Sequence, residues 1–362
     1  MRVTRREFGR LGAMGLAARM VPSVGIAAQG GGRKIGYAVI GLGTIADHFM
    51  RGVQTSPNSQ ITGLVSGHRD KAERIAAQYG VPKDSIYSYE DMDRFKENKA
   101  IDAVYVALPN SMHAEYTIRS AKAGKHVLCE KPMSTTVKEA EDMIAACKAA
   151  DVKLMIAYRL HYEPLHLKAV QLLRDGALGK VGTINGAFGF NAQAGAWRLN
   201  KALAGGGSVF DVGIYVLNAS RYLTGEEPVG FTAVASTMDQ DGRFTSVEEN
   251  VSWTTKFPSG VLATGSCTYG TQMPGYFKVF TTKGWMTMEP AFNYDGPRLR
   301  AQGPGLNIDE SDTEKDPAQF TREANHFSQC VIEGKTPKSS GEEGLRDMRY
   351  IFEIYGAAGV RL

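Results

Sequence analysis

The sequence predicts two architectures in one chain: an α/β half on a doubly wound parallel sheet, then an α+β half with a large, mostly antiparallel sheet. Three observations carry this expectation. Short β-branched runs alternate with helical stretches across residues 34–157, and such alternation implies right-handed crossovers between parallel strands. Beyond Arg159, strand-like runs follow one another with only Gly, Pro and Asp turns between them, as in antiparallel pairing. The 362 residues, 43% apolar and 22% charged, can bury two cores and lie outside the disordered and collagen-like classes.

In the first half, residues 34–40, 60–66, 103–108, 126–129 and 153–157 read as buried strands. Between them, 70–79, 112–123 and 137–150 carry the apolar spacing of amphipathic helices, with Asp70 expected to cap the first of these. The second half reads as strands at 182–190, 229–237, 251–257, 261–268 and 277–282, framed by helices at 165–174, 210–223, 317–333 and 341–358. The division is therefore 31–157 and 158–362, after a distinct segment at 1–30.

That leading segment has the form of an address. Arg5 and Arg6 are followed by Phe8, a weakly apolar stretch rich in Ala and Gly, and a small-residue end. A basic head, apolar middle and small-residue end describe an export signal. The adjacent arginines place it in the twin-arginine class, which predicts a periplasmic protein handed to that export machinery. Five arginines against one glutamate in the first 28 residues account for the whole formal charge of +4. The remainder is balanced, so nucleic acid and anionic membranes are not expected partners. No apolar run reaches the ~18 residues of a bilayer span, so no membrane anchor is expected. Cys129, Cys147, Cys267 and Cys330 lack C-x-x-C spacing and are expected to be buried singly, without disulfide or metal.

The first strand runs directly into Gly41-Leu42-Gly43-Thr44-Ile45-Ala46. In a strand–turn–helix unit the first Gly permits the bend, the second admits a pyrophosphate, and a small third residue lets helix and strand pack. Backbone N–H groups at the helix start would hold the diphosphate. This predicts a dinucleotide-binding Rossmann domain. Where an NAD-specific strand end carries an acid for the ribose 2′-hydroxyl, this chain has Ser66-Gly67-His68-Arg69-Asp70-Lys71. Ser66, Arg69 and Lys71 suit a 2′-phosphate, so NADP is the expected cofactor.

Chemistry is expected at three residues. The fifth strand ends Cys129-Glu130-Lys131-Pro132, which places Lys131 where a strand end meets a ligand. After the flexible run Gly205-Gly206-Gly207-Ser208, Asp211 and Tyr215 stand four apart, on one face of a helix. The glycine turn, Glu130-Lys131-Pro132 and the Asp211/Tyr215 pair together resemble the glucose–fructose oxidoreductase / inositol dehydrogenase family over nearly all of residues 34–358. The stretches 108–115, 157–162, 197–199 and 204–228 narrow the resemblance to the glucose–fructose (aldose–aldose) oxidoreductase branch, as does the export signal.

The resemblance implies an open-faced C-terminal sheet, a homodimer or homotetramer, and small-molecule sugars as substrates. It implies that Tyr215 is the base, that Lys131 holds it near ionisation, and that Asp211 orients sugar and base. It places Arg159, Trp197 and Arg198 around cofactor and sugar. Leu108, Asn110, His113, Glu130, Tyr89 and Tyr294 are implied cofactor contacts, and His113 and His161 read equally well as structural. The implied reaction oxidises a cyclic aldose at C1 to an aldonolactone and returns the hydride to a second sugar, giving an alditol. An exported enzyme lacks a soluble pool to recharge its cofactor, so tightly bound NADP and alternating sugars are expected. An ordinary NADP-dependent aldose dehydrogenase or anhydrosugar reductase, and a non-catalytic sugar sensor, remain as alternatives.

Overall fold

A computed structural model describes residues 32–362; the expected export signal at 1–30 lies outside them. The first half forms β1 (Ile35–Ile40), α1 (Thr44–Thr55), β2 (Ser59–Val65), α2 (Arg69–Tyr79), β3 (Ile86–Tyr87), β4 (Ala103–Val106), α3 (His113–Lys122), β5 (His126–Glu130), α4 (Val137–Ala149) and β6 (Leu154–Ala157). All six strands pair in parallel in the order β3-β2-β1-β4-β5-β6. That order reverses direction between β1 and β4, the crevice where dinucleotides bind in such sheets. Continuous apolar runs keep β1 and β4 buried on both faces. The expected helix cap at Asp70 is not formed: His68 holds that place and Asp70 sits in the first turn of α2, where its charge suits the helix dipole.

The second half comprises α5 (Pro164–Arg174), β7 (Val181–Gly189), α6 (Lys201–Ala204), α7 (Ile214–Thr224), β8 (Phe231–Ser236), β9 (Asn250–Lys256), β10 (Leu262–Thr268), β11 (Met273–Thr281), β12 (Trp285–Met288), β13 (Arg298–Gly303), β14 (Leu306–Ser311), α8 (Ala318–Glu333) and α9 (Gly341–Ala357). Its sheet has eight strands in the order β14-β13-β12-β11-β7-β10-β9-β8, antiparallel throughout except where β10 lies parallel to β7. Strand β9 alternates buried and exposed positions and β8 half-buried and exposed ones, so the sheet covers a core with one face and leaves the other open.

The expected boundary at 157/158 marks only the first crossing between the halves. Helix α8 returns to the nucleotide-type half, where Phe320, Ala324 and Phe327 share a core with Phe49 and Tyr105 and Ser328 bonds Tyr37 and Ser59. The stretch Lys201–Thr224 is apolar and long enough to cross a membrane, which the sequence reading missed, but 72% of its apolar 18-residue window is buried inside the protein. The four cysteines are buried with free thiols.

Candidate active site

The turn after β1 is built as expected. Gly41 has φ +87°, and a Cβ there would stand 2.5 Å from the Ala107 carbonyl oxygen, so only glycine fits comfortably. A Cβ on Gly43 would meet nothing within 4 Å, and no side chain caps α1. Open space faces the unpaired N–H groups of a helix start, as a pyrophosphate requires. Leu42 is buried beneath this turn. On this evidence the residues present fit a dinucleotide.

Beside the turn lies a cleft of about 650 Å³, walled by both halves. From the sequence-predicted set it gathers Thr44, Ile45, Leu108, Asn110, His113, Glu130, Lys131, Arg159, Trp197, Arg198, Asp211, Tyr215 and Tyr294. The helix carrying Asp211 and Tyr215 opens with a wide π-type turn, Val209–Gly213, before α7, and π turns often mark functional sites. The glycine run before it is pinned rather than flexible. The Gly207 N–H donates to Glu248 and to the Tyr355 hydroxyl (3.2 and 3.0 Å), and a Cβ there would stand 2.5 Å from the Glu248 carboxylate.

Lys131 donates to the Asp211 carboxylate (2.9 Å) and its backbone carbonyl (2.8 Å), and its Nζ lies 4.6 Å from the centre of the Tyr215 ring. The second Asp211 oxygen accepts from Arg198 Nε (2.7 Å) and the Tyr269 hydroxyl (3.1 Å). Burial opposes both charges, but each is outweighed by its partners. Lys131 and Arg198 hold the Asp211 carboxyl well below the usual range, and Asp211 keeps the Lys131 ammonium above its ordinary value. Asp211 therefore anchors Lys131.

A second cation reaches the phenol. Arg159 Nη2 approaches the Tyr215 oxygen at 3.4 Å. The guanidinium is fixed by the carbonyls of Phe292 (2.6 Å) and Asn293 (3.1 Å) and by the Gln319 side chain, and it stacks 4.5 Å from the Tyr294 ring. Its Nε is buried without an acceptor.

Several expectations are corrected. Arg69 does not wait for a phosphate: it donates to Glu73 (2.9 Å) and to the carbonyls of Ile86 (3.0 Å) and Lys83 (3.2 Å). It clamps the unforeseen strand β3. Ser66 turns its hydroxyl onto the His68 backbone N–H (3.1 Å), and Lys71 stays half-buried on α2. Tyr89 packs edge-on to Tyr116 beside Gly67, outside the cleft lining. His113 faces the carbonyls of Pro132 (2.8 Å) and Leu108 (2.9 Å), and Asn110 donates to the Ala204 carbonyl (2.9 Å), so both act as braces at the cleft wall. Glu130 accepts from the Tyr105 hydroxyl (2.5 Å) and burial raises its carboxyl, again a bracing arrangement. Tyr269, Gln319, Phe188, Phe190 and Phe292 were not foreseen. Their only sequence signal is aromatic or polar residues at strand and helix ends.

Comparison with known proteins gives the family of the two halves. Residues 35–158 match the oxidoreductase family with an NAD-binding Rossmann fold, and residues 166–287 match the GFO/IDH/MocA C-terminal domain. A D-xylose 1-dehydrogenase [NADP(+)] of Haloarcula marismortui is 32% identical over 89% of this chain and 90% of its own. A 1,5-anhydro-D-fructose reductase of Ensifer adhaerens is 28% identical over 85% and 92%. The crystal structure of an aldose-aldose oxidoreductase from Caulobacter crescentus, complexed with glycerol, superposes with a TM-score of 0.87 at 45% identity over 90% of this chain and 98% of that one.

Proposed function

The chain belongs to the GFO/IDH/MocA oxidoreductase family, and from that premise we propose a sugar oxidoreductase that keeps NADP(H) bound and serves two carbohydrates in turn. A cyclic aldose such as glucose is oxidised at C1 to its aldonolactone. A second sugar, ketose or aldose, is then reduced to an alditol. The observation that carries this reading is the Tyr215 phenol flanked by Lys131 and Arg159 at the strand ends, beside the glycine turn.

The bound nicotinamide supplies the hydride acceptor and donor; the side chains do the rest. Tyr215 Oη takes the proton of the C1 hydroxyl, and the two cations stabilise the negative charge that reaches the phenol. Asp211, held by Arg198 and Tyr269, fixes the Lys131 ammonium. In the reductive direction the same phenol returns a proton to the carbonyl oxygen. Phe188, Phe292 and Trp197 offer apolar faces to a sugar ring and exclude water.

NADP is supported by the absence of a carboxylate where β2 ends, at Ser66-Gly67-His68, and by the NADP-named relative. Retention of the cofactor is supported by the twin-arginine-type segment, which implies a periplasmic enzyme, and by likeness to an aldose-aldose oxidoreductase. A homodimer or homotetramer is supported by Val234, Leu262, Phe280 and Trp285, exposed on the large sheet.

The test is direct. Purified protein passed through gel filtration should carry NADP and convert paired sugars to lactone and alditol with none added. Strict dependence on added NADP would overturn the retained-cofactor reading. It would favour a conventional NADP-dependent aldose dehydrogenase, as the D-xylose dehydrogenase relative suggests.

A further inference from the structure

The cleft that fits the dinucleotide takes its walls from distant parts of the chain. Thr44 and Ile45, the first residues of α1, line one part of it, and the segment 293–295 lines another. Two residues that are not part of the lining tie these walls together. His48 lies one turn along α1 from Thr44, and Asp316 lies just ahead of α8. Their side chains are only 16% and 15% exposed.

His48 Nδ1 stands 2.7 Å from Asp316 Oδ1. A carboxylate paired with an arginine only accepts, so Nδ1 carries the proton and donates. The second Asp316 oxygen pairs with Arg51 Nη2 at 2.5 Å, again from α1. The Asp316 backbone N–H donates to Asp295 Oδ1 at 2.6 Å. Asp316 is thus bonded to α1 through its side chain and to the opposite wall through its backbone. Ring contacts follow the same route. The His48 ring lies 4.5 Å from Tyr294 and 5.4 Å from Phe320, centre to centre, and Phe320 belongs to the core beneath α1. Tyr294 also carries the Arg159 guanidinium, 4.5 Å from its ring centre. The connection therefore runs from the helix start that suits a pyrophosphate to the cation beside the Tyr215 phenol.

We propose that His48 and Asp316 form a clasp that sets how long the dinucleotide stays bound. The proposal rests on the retained-cofactor reading above. Neither residue lines the cleft, so neither is catalytic. They are positioning residues that hold the segment 293–295 against α1. A dinucleotide lying between the start of α1 and Tyr294 leaves when these walls part. Parting them breaks the bonds of Asp316 to His48 and Arg51 and the stacking of His48 on Tyr294. Both ends of the His48–Asp316 bond are largely shielded from solvent, so salt weakens it little.

The clasp is tested by the rate at which cofactor leaves. Holoenzyme carrying NADPH is mixed with a large excess of NADP, and the fall in bound NADPH fluorescence gives the exit rate. His48→Ala and Asp316→Ala should each release NADPH about 10–100-fold faster than the wild type. The double variant should be little faster than the faster single one, because both cut the same link. His48→Asn places an amide N–H where Nδ1–H stands and should recover much of the retention, which a generally loosened fold would not. If His48→Ala does not fold, His48→Phe keeps the ring contacts without the donor, and about a tenfold rise is expected. A wild type that holds NADPH, with His48 and Asp316 variants that hold it as long, overturns the clasp alone. So does a His48→Asn protein that releases as fast as His48→Ala. A wild type that sheds its cofactor during gel filtration overturns the retained-cofactor reading, and the clasp with it.

Discussion

Asp211 and Asp347 are both inner carboxylates paired with arginine, yet their surroundings drive them in opposite directions. Asp211 has two cations to itself, Lys131 and Arg198, plus the Tyr269 hydroxyl, and its carboxyl is held far down. Asp347 is fully buried and shares its one cation, Arg221, with Glu227 and Glu343, which also pair with Arg346. Burial dominates there, Glu343 adds to it, and the carboxyl is raised despite Arg221. The ratio of cations to carboxylates, rather than burial, separates a site that keeps a fixed charge from a cluster that can share protons. Glu323 on α8 extends the series: it is wholly buried, neither oxygen has a hydrogen-bond partner, and burial raises its carboxyl strongly.

The largest effect expected from this contrast is on catalysis. Lys131→Met should lower kcat/KM for an aldose by ~10³-fold while circular dichroism stays unchanged. A fall below about tenfold would mean that Asp211 does not anchor a working cation. In the other cluster the change should appear in stability. Arg221→Met leaves Asp347 without its cation, and Glu227 and Glu343 with Arg346 alone, and should cost about 3–5 kcal/mol in urea unfolding, with turnover per folded molecule little altered.

The smallest effect is a pH slope of defined sign. The folded-state pKa of Glu323 lies above its unfolded value near 4.3, so the native state holds its proton longer. Stability contributed by this group is therefore full below about pH 4 and falls as pH rises towards the folded value. Glu323→Gln should match the wild type near pH 4 and exceed it by about 1–3 kcal/mol near pH 8. Asp211 acts in the reverse sense: its contribution is full above about pH 4 and is lost only as pH falls towards its depressed folded value.

The Asp211 side of this contrast was visible in the chain; the Asp347 and Glu323 side was not. Lys131 at a strand end and Asp211 and Tyr215 four apart on one helical stretch are local relations, whereas the meeting of Lys131 with Asp211, 80 residues apart, is decided by the tertiary fold. The family resemblance pointed to Arg159 but not to its place at the phenol oxygen, because that depends on the carbonyls of Phe292 and Asn293, some 130 residues away. Arg69 was misread because β3 is only two residues long and too short to show a period. Once that strand pairs, its carbonyl is a nearer acceptor than any ligand. Strands β12 to β14 were missed for related reasons: β12 is only four residues long, and charged residues interrupt the apolar alternation of β13 and β14.

By itself the sequence determined what depends on neighbours along the chain: the strand and helix periods, the glycine turn after β1, and a helix that presents an aspartate and a tyrosine together. Tertiary structure alone decided which charges meet. Asp211 gained two cations and a hydroxyl from three different elements, Asp347 a share of one cation, and Glu323 none. The physical reason is that a buried charge is governed by groups within a few ångströms in space, in a low dielectric that magnifies each of them, and separation along the chain says nothing about those distances.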